Sequence, residues 1–221
     1  MSRAKIAVVT DFDGTVTSFD VGDHAALKFG LASRAEVLAS YNEGASVSKW
    51  MKKVYGRKGV PGPSAIAAFV RREAKPRRGF LAMASFCRRN SIPLEIASGG
   101  LDVYITPLLS AWRLTRQIKL SCGRAIYKNG VYSVRYPFSD THTLDKHKQK
   151  AVLRLQKKGY RVVFCGDGTS DYSAASSADF VFARYKLYQH CRQKGVKAHS
   201  LRDFDGVLRL LSSEAPVKAV R

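Results

Sequence analysis

Three short apolar runs in this chain each stop abruptly at a polar cluster, and that pattern limits the folds open to it. Residues 5–10 stop at Asp11-Phe12-Asp13-Gly14, residues 92–97 at Ser98-Gly99-Gly100, and residues 161–165 at Gly166-Asp167-Gly168. Such runs are too short for buried helices and, where β-branched, read as buried strands. Helical patterns lie between them at 80–89, 101–111, 148–157 and 203–212, with a further short strand at 179–182. Asn129-Gly130, flanked by 125–127 and 131–134, predicts a hairpin turn. Alternating strands and helices imply an α/β fold, a mostly parallel sheet with helices on both faces. Ligands in such sheets bind at the carboxyl ends of the strands. The three polar clusters are therefore expected along one edge.

One stretch departs from this alternation. From Ser18 to Lys75 the apolar residues follow helical spacing: Ala25, Leu27 and Phe29, then Val37, Leu38 and Tyr41, then Val47, Trp50, Met51 and Val54. The Gly/Pro-rich segment 56–63 breaks the pattern, and Ile66, Phe69 and Val70 begin another helix. Residues 18–75 are read as a small helical cap inserted into a core of residues 1–17 and 76–221, with 14–18 and 56–63 as joints.

Composition excludes several classes. Apolar residues make up 45% and charged ones 25%, as in a globular protein and not a disordered or fibrous one. No apolar run approaches the ~18–20 residues that cross a bilayer, and residues 6–10 are too short for a signal-peptide core, so a cytoplasmic protein is expected. Cys87, Cys122, Cys165 and Cys191 are scattered without metal-site spacing and read as small buried hydrophobes. With 38 Lys+Arg against 17 Asp+Glu, the formal charge of +21 attracts polyanions. The charge is dispersed along the chain, so nucleic acid is an unlikely partner. A basic nucleic-acid-binding protein remains the alternative class.

The strand ends carry the chemistry. Asp11 and Asp13 would share one side of an extended segment, with Phe12 turned away. Asp167 and Asp171 add two acids at another strand end. Converging carboxylates resist joint ionisation without a compensating cation, and hard oxygen donors suit Mg²⁺. A carboxylate nucleophile beside a second acid suits phosphoryl transfer through an aspartyl-phosphate. Such transfer depends on positioning and on positive charge around the phosphoryl group. Ser98 with the amides of Gly99 and Gly100, opening helix 101–111, would cradle an anion. Lys146, Lys148 and Lys150 are candidates for the cation.

Taken in order, Asp-Phe-Asp-Gly-Thr-Val, Ser-Gly after an apolar strand, a lysine, and Gly-Asp-Gly-x-x-Asp resemble the four-part signature of haloacid-dehalogenase-like (HAD) phosphatases. The resemblance spans residues 6 to about 182 and implies a Rossmann-like core. It implies Asp11 as nucleophile and Asp13 as general acid/base. Mg²⁺ would be held by Asp11, the Asp13 backbone carbonyl and Asp167, with Asp171 supporting that shell or the lysine. Ser98 and Gly99 would bind the phosphoryl oxygens. Lys148 is preferred over Lys146: it precedes Asp167 by 19 residues, as in related phosphatases, and shares its helical side with Ala151, Val152 and Leu155.

The helical insert resembles the phosphoserine-phosphatase-like branch, and the segments from Gly166 to Ala183 and on to Phe204 resemble methionine-salvage enol-phosphate phosphatases. The substrate implied is a small phosphorylated metabolite, either 2-hydroxy-3-keto-5-methylthiopentenyl 1-phosphate or, as the alternative, phosphoserine. Asp20, nine residues after Asp11, falls where the phosphoserine enzymes read the substrate amine, and also suits a helix N-cap. Asp20, His24, Tyr41, Trp50, Lys52, Lys53 and Arg57 are the candidate cap contacts. A basic cap is expected, suited to an anionic or doubly phosphorylated substrate. Transfer to an acceptor other than water would use the same residues, and the sequence carries no sign of oligomeric state.

Overall fold

A computed structural model describes residues 5–42, 46–137 and 143–214. Its strands, among these residues, are β1 (Lys5–Thr10), β2 (Leu94–Leu101), β3 (Lys119–Lys128), β4 (Val131–Arg135), β5 (Tyr160–Gly166), β6 (Phe180–Ala183) and β7 (His199–Ser200). They form one seven-stranded sheet in the order β4-β3-β2-β1-β5-β6-β7. All neighbours are parallel except β3 and β4, which form the expected hairpin with Asn129 (φ 51°) and Gly130 (φ 78°) in its turn.

The period of two along β1 divides the core. Ile6 and Val8 face one side, packing into a cluster with Phe80, Met83, Ile105, Leu108, Phe204 and Val207. These come from α5 (Phe80–Arg89), α6 (Asp102–Ala111), the connection before α10, and α10 (Asp205–Glu214). Ala7 and Val9 face the other side, against Val152, Leu155, Ala174, Ala175 and Leu187. Those residues lie on α7 (Leu144–Gln156), α8 (Tyr172–Ser177) and α9 (Tyr185–Gln193). Helices thus cover both faces, and β1 is buried at its centre. The four cysteines are free and buried. No helix among the described residues is long and apolar enough to cross a membrane.

Between β1 and α5 lie α1 (Val21–Lys28), α2 (Arg34–Ser40), α3 (Val47–Tyr55) and α4 (Pro63–Glu73). Met51, Val54, Tyr55, Ile66, Phe69 and Val70 join the same buried cluster as Ile6 and Val8. The two connections to this insert meet: Thr17 and Pro76 form an isolated antiparallel bridge.

Several boundaries depart from expectation. The second strand does not stop before Ser98. It starts at Leu94, continues through Gly99 and Gly100 with an irregular register against β3, and the helix begins at Asp102, not 101. Two glycines and a serine lack strand propensity; the pairs on either side of them, Ala97 with Ser121 and Leu101 with Gly123, carry the strand through. The helix carrying Lys148 starts a turn earlier, at Leu144, behind a Thr143 cap.

Phe12 is fully buried in the turn after β1, its ring 6.1 Å from that of Trp112. Phe12→Ala is expected to destabilise the protein by about 3–5 kcal/mol through lost burial and a residual cavity. Equilibrium urea unfolding measures this, and an unchanged midpoint would contradict the anchoring role.

Candidate active site

The carboxyl ends of β1, β2 and β5 open into a cavity of about 470 Å³. Asp11, Asp13, Ser98, Gly99, Gly100, Lys148, Asp167, Asp20 and Asp23 all contribute to its lining. The Asp11 amide donates to the Cys165 carbonyl at 2.9 Å, continuing the parallel pairing one residue beyond β1. Pairing with β5 thereby holds the first acid at the edge.

Lys148 reaches this point from the second turn of α7, with only 1% of its surface exposed. Its ammonium lies 2.9 Å from Asp11 Oδ1 and 2.7 Å from Asp171 Oδ1, and donates to Ser170 Oγ at 3.1 Å. Three donors meet three acceptors. Burial works to lower the lysine pKa, but the two carboxylates outweigh it and hold the group above its ordinary range. Lys146, in contrast, donates to Gln149 on the exposed face.

Asp171 is fully buried. One of its oxygens takes Lys148 and the other takes the Asp167 and Gly168 amides, each at 3.0 Å. It therefore shapes the loop after β5. Asp11, Asp167 and Asp171 each place a carboxylate oxygen within 4.8 Å of the others, as a shared metal requires. Because both Asp171 oxygens are engaged, Asp11 and Asp167 are the carboxylates best placed to hold an ion. Thr15 Oγ1 donates to Asp167 Oδ1 at 3.0 Å, and Gly14 (φ 72°) packs so close that a Cβ there would lie 2.5 Å from Asp167 Oδ2.

Asp13 is bound differently. Its Oδ1 accepts from the Val21 amide, at the start of α1, and its Oδ2 from the Tyr104 hydroxyl on α6, each at 2.9 Å. Its side chain is not part of the three-acid cluster. Burial raises the Asp11 pKa to about 6, despite Lys148. Burial and then the Asp11 charge raise Asp13 to about 7. Burial and then the Asp11 and Asp171 charges raise Asp167 to about 8. One ammonium does not balance these acids, so the donor set fits a divalent cation with a preference for oxygen ligands.

The anion cradle expected from Ser98, Gly99 and Gly100 takes another form. The Gly100 amide is not free: it donates to Ser98 Oγ at 2.9 Å inside the extended strand. Gly100 instead provides room, since a Cβ there would sit 2.1 Å from the Tyr104 hydroxyl and 2.6 Å from Asp13 Oδ2. The Ser98 hydroxyl still has its own proton to donate toward the cavity.

On the insert side, Asp20 caps α1 by accepting from the Asp23 amide at 2.8 Å and also lines the cavity. Burial, then the charges of Asp13 and Asp23, raise its pKa well above the usual carboxylate range. Sequence reasoning missed Asp23, which a first-turn acid beside an N-cap disguises. Its buried carboxylate accepts from the Tyr41 hydroxyl at 2.5 Å and from the Trp50 indole at 2.7 Å. Tyr104, Thr15 and Lys186 were missed as well; Lys186 lines the cavity and donates to the Tyr41 carbonyl at 2.8 Å.

The cations expected as cap contacts do not face the cavity. Lys53 and Arg57 pair with Glu36, Lys52 is exposed, and His24 packs between Phe19 and Phe69. None of these four lines the cavity, because helix amphipathicity turns the long cations outward while Asp20, Asp23, Tyr41 and Trp50 face in.

The family model of haloacid dehalogenase-like hydrolases matches residues 8–176. The chain belongs to this family. Curated relatives named 2-hydroxy-3-keto-5-methylthiopentenyl-1-phosphate phosphatase include one from Bacillus velezensis, 26% identical over 99% of this chain and 94% of the relative. Another, from Geobacillus kaustophilus, is 29% identical over 87% and 89%. A bifunctional enzyme MtnB/MtnX of Bacillus licheniformis matches at 26% over 97% of this chain, which spans 51% of that longer protein. Among solved structures, a substrate-bound phosphoserine phosphatase complex superimposes with a TM-score of 0.73 at 19% identity, covering 93% of this chain and 98% of that one. A phospho-aspartyl intermediate analogue of phosphoserine phosphatase gives 0.71 at 19%, covering 94% and 99%. These two likenesses establish a common fold.

The raised acids make a prediction about the metal-free protein. A carboxyl whose folded pKa exceeds its unfolded value binds more protons when folded, so its contribution falls as pH rises between the two. For Asp167 that window runs from about 4 to about 8. Asp167→Asn should therefore stabilise the EDTA-treated protein at pH 8 by up to about 5 kcal/mol and leave stability near pH 4 unchanged. Urea unfolding at both pH values tests this. A gain of equal size at pH 4 would show that charge burial is not its cause.

Proposed function

We propose that this protein is a Mg²⁺-dependent phosphatase that hydrolyses a small phosphorylated metabolite through an aspartyl-phosphate on Asp11. The observation that carries the reading is the Asp11–Lys148–Asp171 chain beside Asp13 and Asp167. Lys148 occupies Asp11 Oδ1, leaving Oδ2 to attack phosphorus. As the Asp11–phosphorus bond forms, the bond to the leaving oxygen breaks, and Asp13 supplies the proton that oxygen needs. Asp13 then takes a proton from water, which attacks phosphorus, breaks the bond to Asp11 and releases inorganic phosphate. A pKa of about 7 lets one carboxyl serve as acid and then as base. Ser98 donates to the phosphoryl oxygens and the Lys148 ammonium supplies positive charge beside them, with Gly99 lining the same space. Asp11, Asp167 and the Asp13 backbone carbonyl would hold Mg²⁺, which supplies neutralisation of the phosphoryl charge. Asp171 supports Lys148 and the loop that carries Asp167.

Residues 18–75 serve in this reading as a cap that covers the site. The cap side presents Asp20 and Asp23 with an apolar surface of Val47, Trp50 and Met51. Two acids disfavour a second anion on the substrate, while hydroxyl donors and an apolar tail suit them. A methylthiopentenyl enol phosphate, the substrate class in the relatives' names, has that chemistry. Phosphoserine is the second reading, favoured by Asp20 as a partner for its ammonium. Its carboxylate would find, beyond Lys148, only Lys186 as a described cation lining the cavity. An acidic cavity gives no support to the nucleic-acid alternative. The reading places the enzyme in the cytoplasm.

Asp11→Asn is expected to lower turnover by about three orders of magnitude or more while leaving the circular dichroism spectrum unchanged. EDTA should abolish wild-type activity and added Mg²⁺ restore it. Activity retained by Asp11→Asn would refute the covalent route. Phosphate release across a metabolite panel should favour neutral-tailed monophosphates by about tenfold over phosphoserine and bisphosphates. A preference for bisphosphates would overturn the assignment of the cap wall.

A further inference from the structure

Arg77 lies where the chain returns from the helical insert, directly after the Thr17–Pro76 bridge. Its backbone amide donates to the Val16 carbonyl at 2.7 Å. Its guanidinium donates to the carbonyls of Thr15 at 2.7 Å, Gly14 at 2.7 Å and Thr17 at 2.8 Å. Four consecutive carbonyls, residues 14 to 17, are thus gathered by one residue. Among the described residues the guanidinium forms no ion pair, so its planar fork is spent on this loop alone.

The loop it holds is the one that seats Asp167. Thr15 donates to Asp167 Oδ1, and Gly14 approaches Asp167 Oδ2 more closely than any side chain at that position would allow. We propose that Arg77 is a positioning residue that ties the base of the helical insert to Asp167, so that the cluster's affinity for Mg²⁺ depends on how the insert's two connections sit. The inference rests on the Mg²⁺ reading above. The link runs through two hydrogen-bonded steps, guanidinium to carbonyl and threonine to carboxylate. A shift of the return segment at residue 76 or 77 displaces Gly14 and Thr15 together and changes the oxygen positions that Asp167 offers. An ordinary surface arginine at a helix start would do none of this.

The test is isothermal titration of the EDTA-treated full chain with MgCl₂, for wild type, Arg77→Ala, Arg77→Lys and Asp167→Asn, with urea unfolding alongside. Arg77→Ala should weaken Mg²⁺ binding by about tenfold or more, the scale expected for a group that orients a metal ligand. Arg77→Lys should also weaken it, because a compact ammonium does not span three carbonyls. If Arg77→Ala fails to fold, Arg77→Lys decides. Wild-type affinity in the folded arginine variants, with only the urea midpoint lowered, would overturn the inference and leave Arg77 a structural staple. Wild-type affinity in Asp167→Asn would instead overturn the metal assignment, and the inference with it. A loss confined to Asp167→Asn keeps the metal site and removes the role of Arg77.

Discussion

Lys148 and the carboxylates around it set the terms for everything else at the active edge. An ammonium with 1% exposure survives because Asp11 and Asp171 flank it at 2.9 and 2.7 Å. Removing one member of such a buried group leaves the others uncompensated, which is far more costly than losing a surface pair. Asp171 extends the arrangement by binding the Asp167 and Gly168 amides, so the loop after β5 is shaped by the charge that anchors the lysine. What the single ammonium leaves unbalanced is the charge of Asp13 and Asp167, and that remainder defines the place for a divalent ion.

The helical insert is bound into this balance. The first amide of α1 donates to Asp13, and Tyr104 on α6 approaches the same carboxylate from the sheet side. The acid/base candidate is therefore oriented by an element of the insert and an element of the sheet domain at once. Farther out, Tyr41 and Trp50 donate hydrogen bonds to Asp23 and with it build a wall from three separate helical segments. That wall carries negative charge in a protein whose overall formal charge is +21. The long cations lie on the outside, so bulk composition is a poor guide to the electrostatics of the cavity.

Much of the architecture is legible in local sequence. The alternation of short apolar runs and helical patterns leads to the parallel sheet, and Asn129-Gly130 leads to the hairpin. Asp11, Asp13 and Asp167 are legible because each follows a strand, and the carboxyl ends of parallel strands converge. Less legible is the behaviour of Ser98-Gly99-Gly100, where weak strand formers continue β2 because Ala97 and Leu101 on either side of them pair with a neighbouring strand. Asp23 and Arg77 are hidden for a similar reason. One looks like ordinary helix-start chemistry and the other like one more surface cation, and nothing within a few residues distinguishes them from either.

Period-two and helical patterning act over a few residues, so the primary structure alone settled the fold class, the ends of β1 and β5 and the identity of the acids placed there. Which lysine reaches Asp11, which carboxylate binds protein and which is left for an ion, and which residues of the insert face the cavity were decided only by the folded chain. Those outcomes depend on burial and on hydrogen bonds between segments as far apart as Thr15 and Asp167. The energy of a buried charge is set by all of its neighbours in space, and no local window of sequence contains them.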